Sequence, residues 1–149
     1  MLKSLLASVA LLVASPLAAQ QITVTEAYAR VMGASATSGS AFMVIENTAL
    51  SPDRLLRVET TQAERAEVHT HRQDASGVMQ MIHLPEGLEI PAAGKRELAR
   101  GGDHIMFMGL TAPLAEGDQI KARLIFDKAG PVEVEIPVKN QKPSGHGHH

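Results

Sequence analysis

The sequence predicts an all-β chain folded as an antiparallel β-sandwich. Three observations carry that expectation. Apolar and polar residues alternate with period two over short runs, turn residues punctuate those runs at close intervals, and no segment beyond the N-terminal leader has a convincing helical period. Roughly nine short strands result, at the spacing usual for sandwiches and barrels. The 149 residues contain no recognisable internal repeat, so one domain is the default, with enough chain to bury a core.

In chain order, Met1 to Ala19 reads as a secretory signal. Lys3 supplies the positive end, Leu5 to Val13 the short apolar stretch, and Ser15-Pro16-Leu17-Ala18-Ala19 the small-residue cleavage site. The apolar stretch is short for a membrane span, so an exported, periplasmic protein without a span in its mature form is expected. With no cysteine at the junction, a lipid-modified terminus is not expected. Residues 20–140 are read as the folded domain. Ile22 to Arg30 alternates and reads as a strand, Gly33 to Ser40 as a small-residue loop, and Ala41 to Asn47, more densely apolar, as a central strand. Ser51-Pro52-Asp53 turns the chain into a strand over Arg54–Glu59. A strand centred on Val68 follows, then another over Gly77–Leu84. Turns at Pro85-Glu86-Gly87 and Pro91 to Gly94 precede a short polar strand over Lys95–Ala99. Asp118 to Asp127 and Pro131 to Val138 alternate cleanly. In the latter, Val132, Val134, Ile136 and Val138 share the core face, and Pro137 marks an edge because it cannot donate to a ladder. Residues 141–149 read as a flexible His-rich tail.

Composition narrows the function. Net charge is −2, no basic run occurs, tryptophan is absent and tyrosine occurs once, so nucleic acid is not an expected partner. Cysteine is absent, which removes thiolate ligation, mixed disulfides and a blue-copper centre. No Ser/His/Asp or paired-carboxylate arrangement stands out, and the expected mature terminus, Gln20, offers no N-terminal histidine. An enzyme is therefore not expected.

The chemistry concentrates in three runs. In Gly101-Gly102-Asp103-His104-Ile105-Met106-Phe107-Met108-Gly109-Leu110 a glycine turn leads into a strand on which His104, Met106 and Met108 share one face, with Ile105 and Phe107 on the other. In Arg65 to His71, Ala66, Val68 and Thr70 share one face and His69 and His71 the other; in Gly77 to His83, Met79, Met81 and His83 share a face. A hairpin closing near Arg72 and Val78 would set His71 opposite Met79 and His69 opposite Met81, roughly 5 Å apart at Cβ. Core packing explains a single methionine or a single histidine, but not three strands that each pair both types. Zinc prefers thiolate, imidazole and carboxylate, and calcium and magnesium prefer oxygen. A cysteine-free His/Met set points to Cu(I).

These runs resemble the periplasmic copper chaperone family called PCuAC, which carries a histidine, a later methionine, and then His-x-Met. The matching positions here are His69, Met81, His104 and Met106, and the similarity extends from about Ile22 to Val138. Met79 stands as an alternative to Met81, and His71 as an alternative or addition to His69. The resemblance implies a cupredoxin-like Greek-key sandwich and an accessible Cu(I) site of two imidazoles and two thioethers. It also implies delivery of copper to the copper subunit of cytochrome c oxidase or to a Sco-type protein during oxidase assembly. The tail's His146, His148 and His149 add an expected Cu(II) site. The rival readings are a metal-free structural or adhesion sandwich and a periplasmic copper scavenger serving copper tolerance.

Overall fold

The computed structural model describes residues 21–140, so the expected signal (1–19) and the His-rich tail (141–149) lie outside the described residues. All regular structure among the described residues is strand: β1 (Ile22–Arg30), β2 (Ser38–Asn47), β3 (Asp53–Glu59), β4 (Ala63–Gln73), β5 (Met79–His83), β6 (Leu88–Ile90), β7 (Gly94–Leu98), β8 (His104–Leu110), β9 (Gln119–Phe126) and β10 (Gly130–Pro137). Ten strands form where roughly nine are expected; Leu88–Ile90, which lies between the two expected turns and carries no expected element, pairs with β3.

The strands make two antiparallel sheets. The first runs β1-β2-β8-β4-β5, with β7 also pairing along β2; the second runs β10-β9-β3-β6. Neighbours such as β2 and β8, or β8 and β4, are far apart in sequence, which is the long return of a Greek key. The fold is the expected cupredoxin-like sandwich, with β2 central and β10, bearing Pro137, at an edge. A parallel bridge between Ala29 and Val138 ties the two sheets together beside that edge.

The inner faces supply the core. Ala41, Met43 and Ile45 of β2, Ile105 and Phe107 of β8, and Val68 of β4 meet Leu55, Ile120, Leu124, Phe126 and Ile136 of the second sheet, all buried. Each large aliphatic or aromatic side chain so buried is worth about 1.5–3 kcal/mol. The alternation that buries these residues turns their chain neighbours outward. In β1 the alternation breaks: a bulge between Thr25 and Tyr28, with Glu26 at φ +54°, reverses the parity. Ile22 and Ala29 then both face the core, and Tyr28 faces out to pack on Phe42 with ring centroids 5.2 Å apart.

Two local devices hold the second sheet in place. Gly87 (φ +78°) passes so close to β3 that a Cβ there would stand 1.9 Å from the Leu55 carbonyl oxygen, a position only glycine can occupy. Asp53 is buried at the start of β3. Its Oδ1 accepts from the N–H of Arg54 (2.7 Å) and Lys128 (2.8 Å), and its Oδ2 accepts from the N–H of Ala129 (2.9 Å). One carboxylate thus clamps the β9–β10 turn to β3. Replacing Asp53 by alanine removes the acceptor of three backbone N–H groups and is expected to cost about 3 kcal/mol. Urea unfolding should show a clearly lowered midpoint for Asp53→Ala and a smaller loss for Asp53→Asn, which keeps one acceptor oxygen.

Candidate metal centre

The outer face of the six-stranded sheet carries the chemistry. β8 and β4 pair so that His104 lies opposite His69, Met106 opposite Glu67, and Met108 opposite Arg65. β4 and β5 pair so that His69 lies opposite His83, His71 opposite Met81, and Gln73 opposite Met79. His104, Met106, Glu67, His69, His71, Met79, Met81 and His83 therefore share one surface. The register of the β4–β5 hairpin corrects the sequence expectation: it is displaced by two residues, so His69 faces His83 rather than Met81, and His71 faces Met81 rather than Met79. The cause is Asp74. Its carboxylate accepts from the N–H of Ser76 (2.9 Å) and of Val78 (3.0 Å), and the Asp74 N–H donates to the Val78 carbonyl (2.9 Å), which closes the turn between Asp74 and Val78. These bonds hold the Asp74 carboxyl below the usual carboxylate range, the Val78 N–H contributing most. A displacement of two preserves the faces, since side chains alternate with period two.

Although it stands on an outer face, His104 is only 2% exposed. Its ring is covered by His71 (centroids 5.2 Å), His69 (5.7 Å) and Phe42 (6.2 Å), and by the Ala99–Asp103 loop. That loop turns at Gly101, φ +83°. It is pinned to β7 by Arg96, whose Nε and Nη2 both donate to Asp103 Oδ2 (2.9 and 2.8 Å). The loop presents the Gly102 carbonyl oxygen to two imidazoles: His104 Nδ1 at 3.0 Å and His71 Nδ1 at 3.2 Å. A carbonyl only accepts, so both Nδ1 atoms carry the proton and both Nε2 atoms hold a lone pair. His69 is held the opposite way. Its Nε2 lies 2.8 Å from Glu67 Oε2 and donates to it, leaving the lone pair on Nδ1. That hydrogen bond is the main cause holding the Glu67 carboxyl below the usual range.

Two buried nitrogens are left without a partner, His104 Nε2 and His69 Nδ1. These are the lone pairs that the two tautomers free, and leaving such atoms unpaired is costly unless something else binds there. Met106 is half-buried beside them, its sulfur 3.5 Å from Ser40 Oγ. Met81 is 49% exposed, diagonal to His69, where cross-strand neighbours sit roughly 7–8 Å apart. Met79 is two further residues along, at the hairpin end. Among the described residues no group of three or more His, Asp or Glu side chains is placed to hold a metal ion. The structure thus sets His69, His104 and Met106 together, with Met81 at the open side. Reading by residue type singled out none of the second set of helpers: Glu67, which orients His69, and the Gly102 carbonyl, which orients His104 and His71. The signal for Glu67 was present, since it shares the histidines' face in Glu67-Val68-His69.

The fold and this face define a class: a cysteine-free β-sandwich with histidine and methionine gathered on the outside of one sheet. Residues 22–138 match the family model described as "Putative lipoprotein LpqE-like", and the chain belongs to that family. A "Putative lipoprotein" of Leifsonia xyli subsp. xyli (strain CTCB07) is 31% identical over 122 residues, covering 82% of this chain and 72% of that protein. Among solved structures, the solution structure of Cu(I)-DR1885 from Deinococcus radiodurans is 31% identical, with TM-score 0.61 and 83% of each chain covered. The copper-bound PCuAC domain from PmoF2 is 21% identical with TM-score 0.67, covering 81% of this chain and 94% of that domain, and shows the shared fold. The expected PCuAC relationship is thereby shown. No helix among the described residues is long and apolar enough to cross a membrane.

Two outcomes follow for the metal-free protein. Long-range ¹⁵N NMR should find neutral His104 as the Nδ1–H tautomer and His69 as the Nε2–H tautomer; His104 protonated on Nε2 would contradict the geometry. Burial, more than any neighbouring charge, pushes the His104 pKa below the ordinary 6.5, against the raising effect of its bond to Gly102. The unfolded chain then takes up this proton first, so stability is full above about pH 6.5 and falls as pH drops toward the folded-state value. Urea midpoints at pH 7.5 and 5.0 should differ more in the wild type than in His104→Asn.

Proposed function

We propose that this protein is a periplasmic copper carrier that binds Cu(I) through His69, His104, Met106 and Met81 and passes it to an acceptor. The observation that carries this reading is the pair of buried, unpartnered imidazole nitrogens on adjacent strands, with Met106 beside them. Two borderline nitrogen donors and neutral sulfur suit a soft monovalent ion, and copper-bound relatives of the same fold support that choice. The cargo would enter from the β5 side. Met81 is half exposed there, and the displaced hairpin register leaves it nearer the His69 row than Met79.

Holding the site metal-free need not involve a rearrangement of the core, because every proposed ligand is on the outer face of the sheet. Glu67 and Gly102 keep both imidazoles in their binding tautomers, so binding at neutral pH displaces little protein structure and few protons. Thioethers stay neutral and form no disulfide in an oxidising compartment, and a thiolate-rich acceptor can outcompete them by ligand exchange. We assign the acceptor to the copper subunit of cytochrome c oxidase or a Sco-type protein on the strength of the family resemblance.

Anaerobic Cu(I) titration against a competing chelator tests the reading. The wild type should take up one Cu(I) saturably. His104→Ala and Met106→Ala should each weaken binding by more than the roughly 10- to 100-fold that loss of an outer-shell partner costs. Absence of saturable uptake would leave the metal-free structural sandwich as the better account.

A further inference from the structure

The row of imidazoles does not end at His69. His83 on β5 lies directly across from it, with ring centroids 5.6 Å apart, and His104 lies across from it on the other side at 5.7 Å. Three rings thus step across three adjacent strands at nearly equal intervals. Exposure climbs along the row: His104 is 2% exposed, and the side chains of His69 and His83 are 12% and 47% exposed. β5 is the last strand of its sheet, so the row opens to solvent at His83. Met81 and Met79 share that face of β5, both about half exposed. Glu67 sits between the last two rings, its Oε2 2.8 Å from His69 Nε2 and 3.9 Å from His83 Nδ1. Core packing does not account for a half-exposed histidine preceded on the same face by two half-exposed methionines on an edge strand, because little apolar area is removed from water there.

We propose that His83, with Met81 beside it, forms a second and outer Cu(I) position, the one from which the ion leaves. The proposal rests on the copper-carrier reading above and adds the residue that governs release. The ion remains Cu(I) throughout and no electron moves. A bond from copper to His104 or Met106 breaks as a bond to an unprotonated His83 nitrogen forms, with Met81 as the ligand common to both positions. At the inner position the buried rings of His104 and His69 shield the ion. At the outer position part of its coordination sphere faces solvent, where a thiolate or thioether of an acceptor can bind before the last protein ligand departs. Stepwise exchange of this kind avoids a bare, low-coordinate ion, which would make direct departure from the inner position slow.

The test uses the full chain loaded with one Cu(I) under anaerobic conditions. Equilibrium affinity is measured by chelator competition, and transfer to glutathione, a small thiolate acceptor, is followed by stopped flow. His83→Ala is compared with the wild type and with Gln80→Ala, whose side chain lies on the opposite face of β5. His83→Ala should keep its affinity within about threefold and transfer at least about tenfold more slowly, a change in rate without a matching change in equilibrium. Gln80→Ala should match the wild type in both. Equal transfer rates for His83→Ala and wild type would overturn the outer position. So would a loss of affinity as large as that of His104→Ala, which would make His83 an inner ligand. A wild type that takes up no Cu(I) would sink the carrier reading itself, and thermal unfolding distinguishes all of these from a folding defect.

Discussion

Everything about the site depends on the register between β4 and β8. Val68 opposite Ile105 and Ala66 opposite Phe107 face the core, and burying them selects one alignment of the two strands. The same alignment sets His69 opposite His104 on the other face, because each histidine adjoins a core residue in the chain. A slip that turned β8 over by one residue would drive His104 and Met106 into the apolar interior and expose Ile105 and Phe107. The hydrophobic effect, acting on one face, thereby places polar ligands on the other. The centre needs no dedicated framework; it is the reverse side of the core.

That placement alone would leave the imidazoles free to rotate and to exchange tautomers. Their orientation comes from two acceptors with no metal chemistry of their own. The Gly102 carbonyl accepts a hydrogen bond from the Nδ1–H of both His104 and His71, and Glu67 accepts one from the Nε2–H of His69. The acceptors sit on opposite sides of the His104–His69 pair, and they leave the lone pairs of that pair buried and unpartnered. Arg96 holds the loop bearing Gly102 through Asp103. The apolar cover is supplied by Phe42 and by Tyr28, which packs on it only because the β1 bulge turns Tyr28 outward. The charged, aromatic and glycine residues around the site therefore act on the histidines, and through them on whatever the histidines bind.

Much of this was legible beforehand, for a specific reason. Period-two alternation declares strands and their faces without reference to partners, so the sharing of a face by His104, Met106 and Met108, by His69 and His71, and by Met79, Met81 and His83 needed no coordinates. The weak points were of another kind. The strand Leu88–Ile90 is too short to display a period, and it exists because β3 offers it a ladder. The β1 bulge, with a non-glycine residue at positive φ, has no local signature in Thr25-Glu26-Ala27. The hairpin register depended on which residue closes the turn, and the Asp74 side chain, bonding to Ser76 and Val78, decided that.

What the amino-acid sequence determined by itself was the all-β architecture, the absence of thiolate chemistry, and the three histidine- and methionine-bearing strand faces. These follow from residue type and from spacing along one chain. Tertiary structure alone decided which of those faces became neighbours, that His83 joins the row of His69 and His104, and which nitrogen of each ring carries the proton. Those facts arise between strands that are distant in sequence, where hydrogen-bond acceptors such as Gly102 and Glu67 meet their donors only after the sheet has assembled.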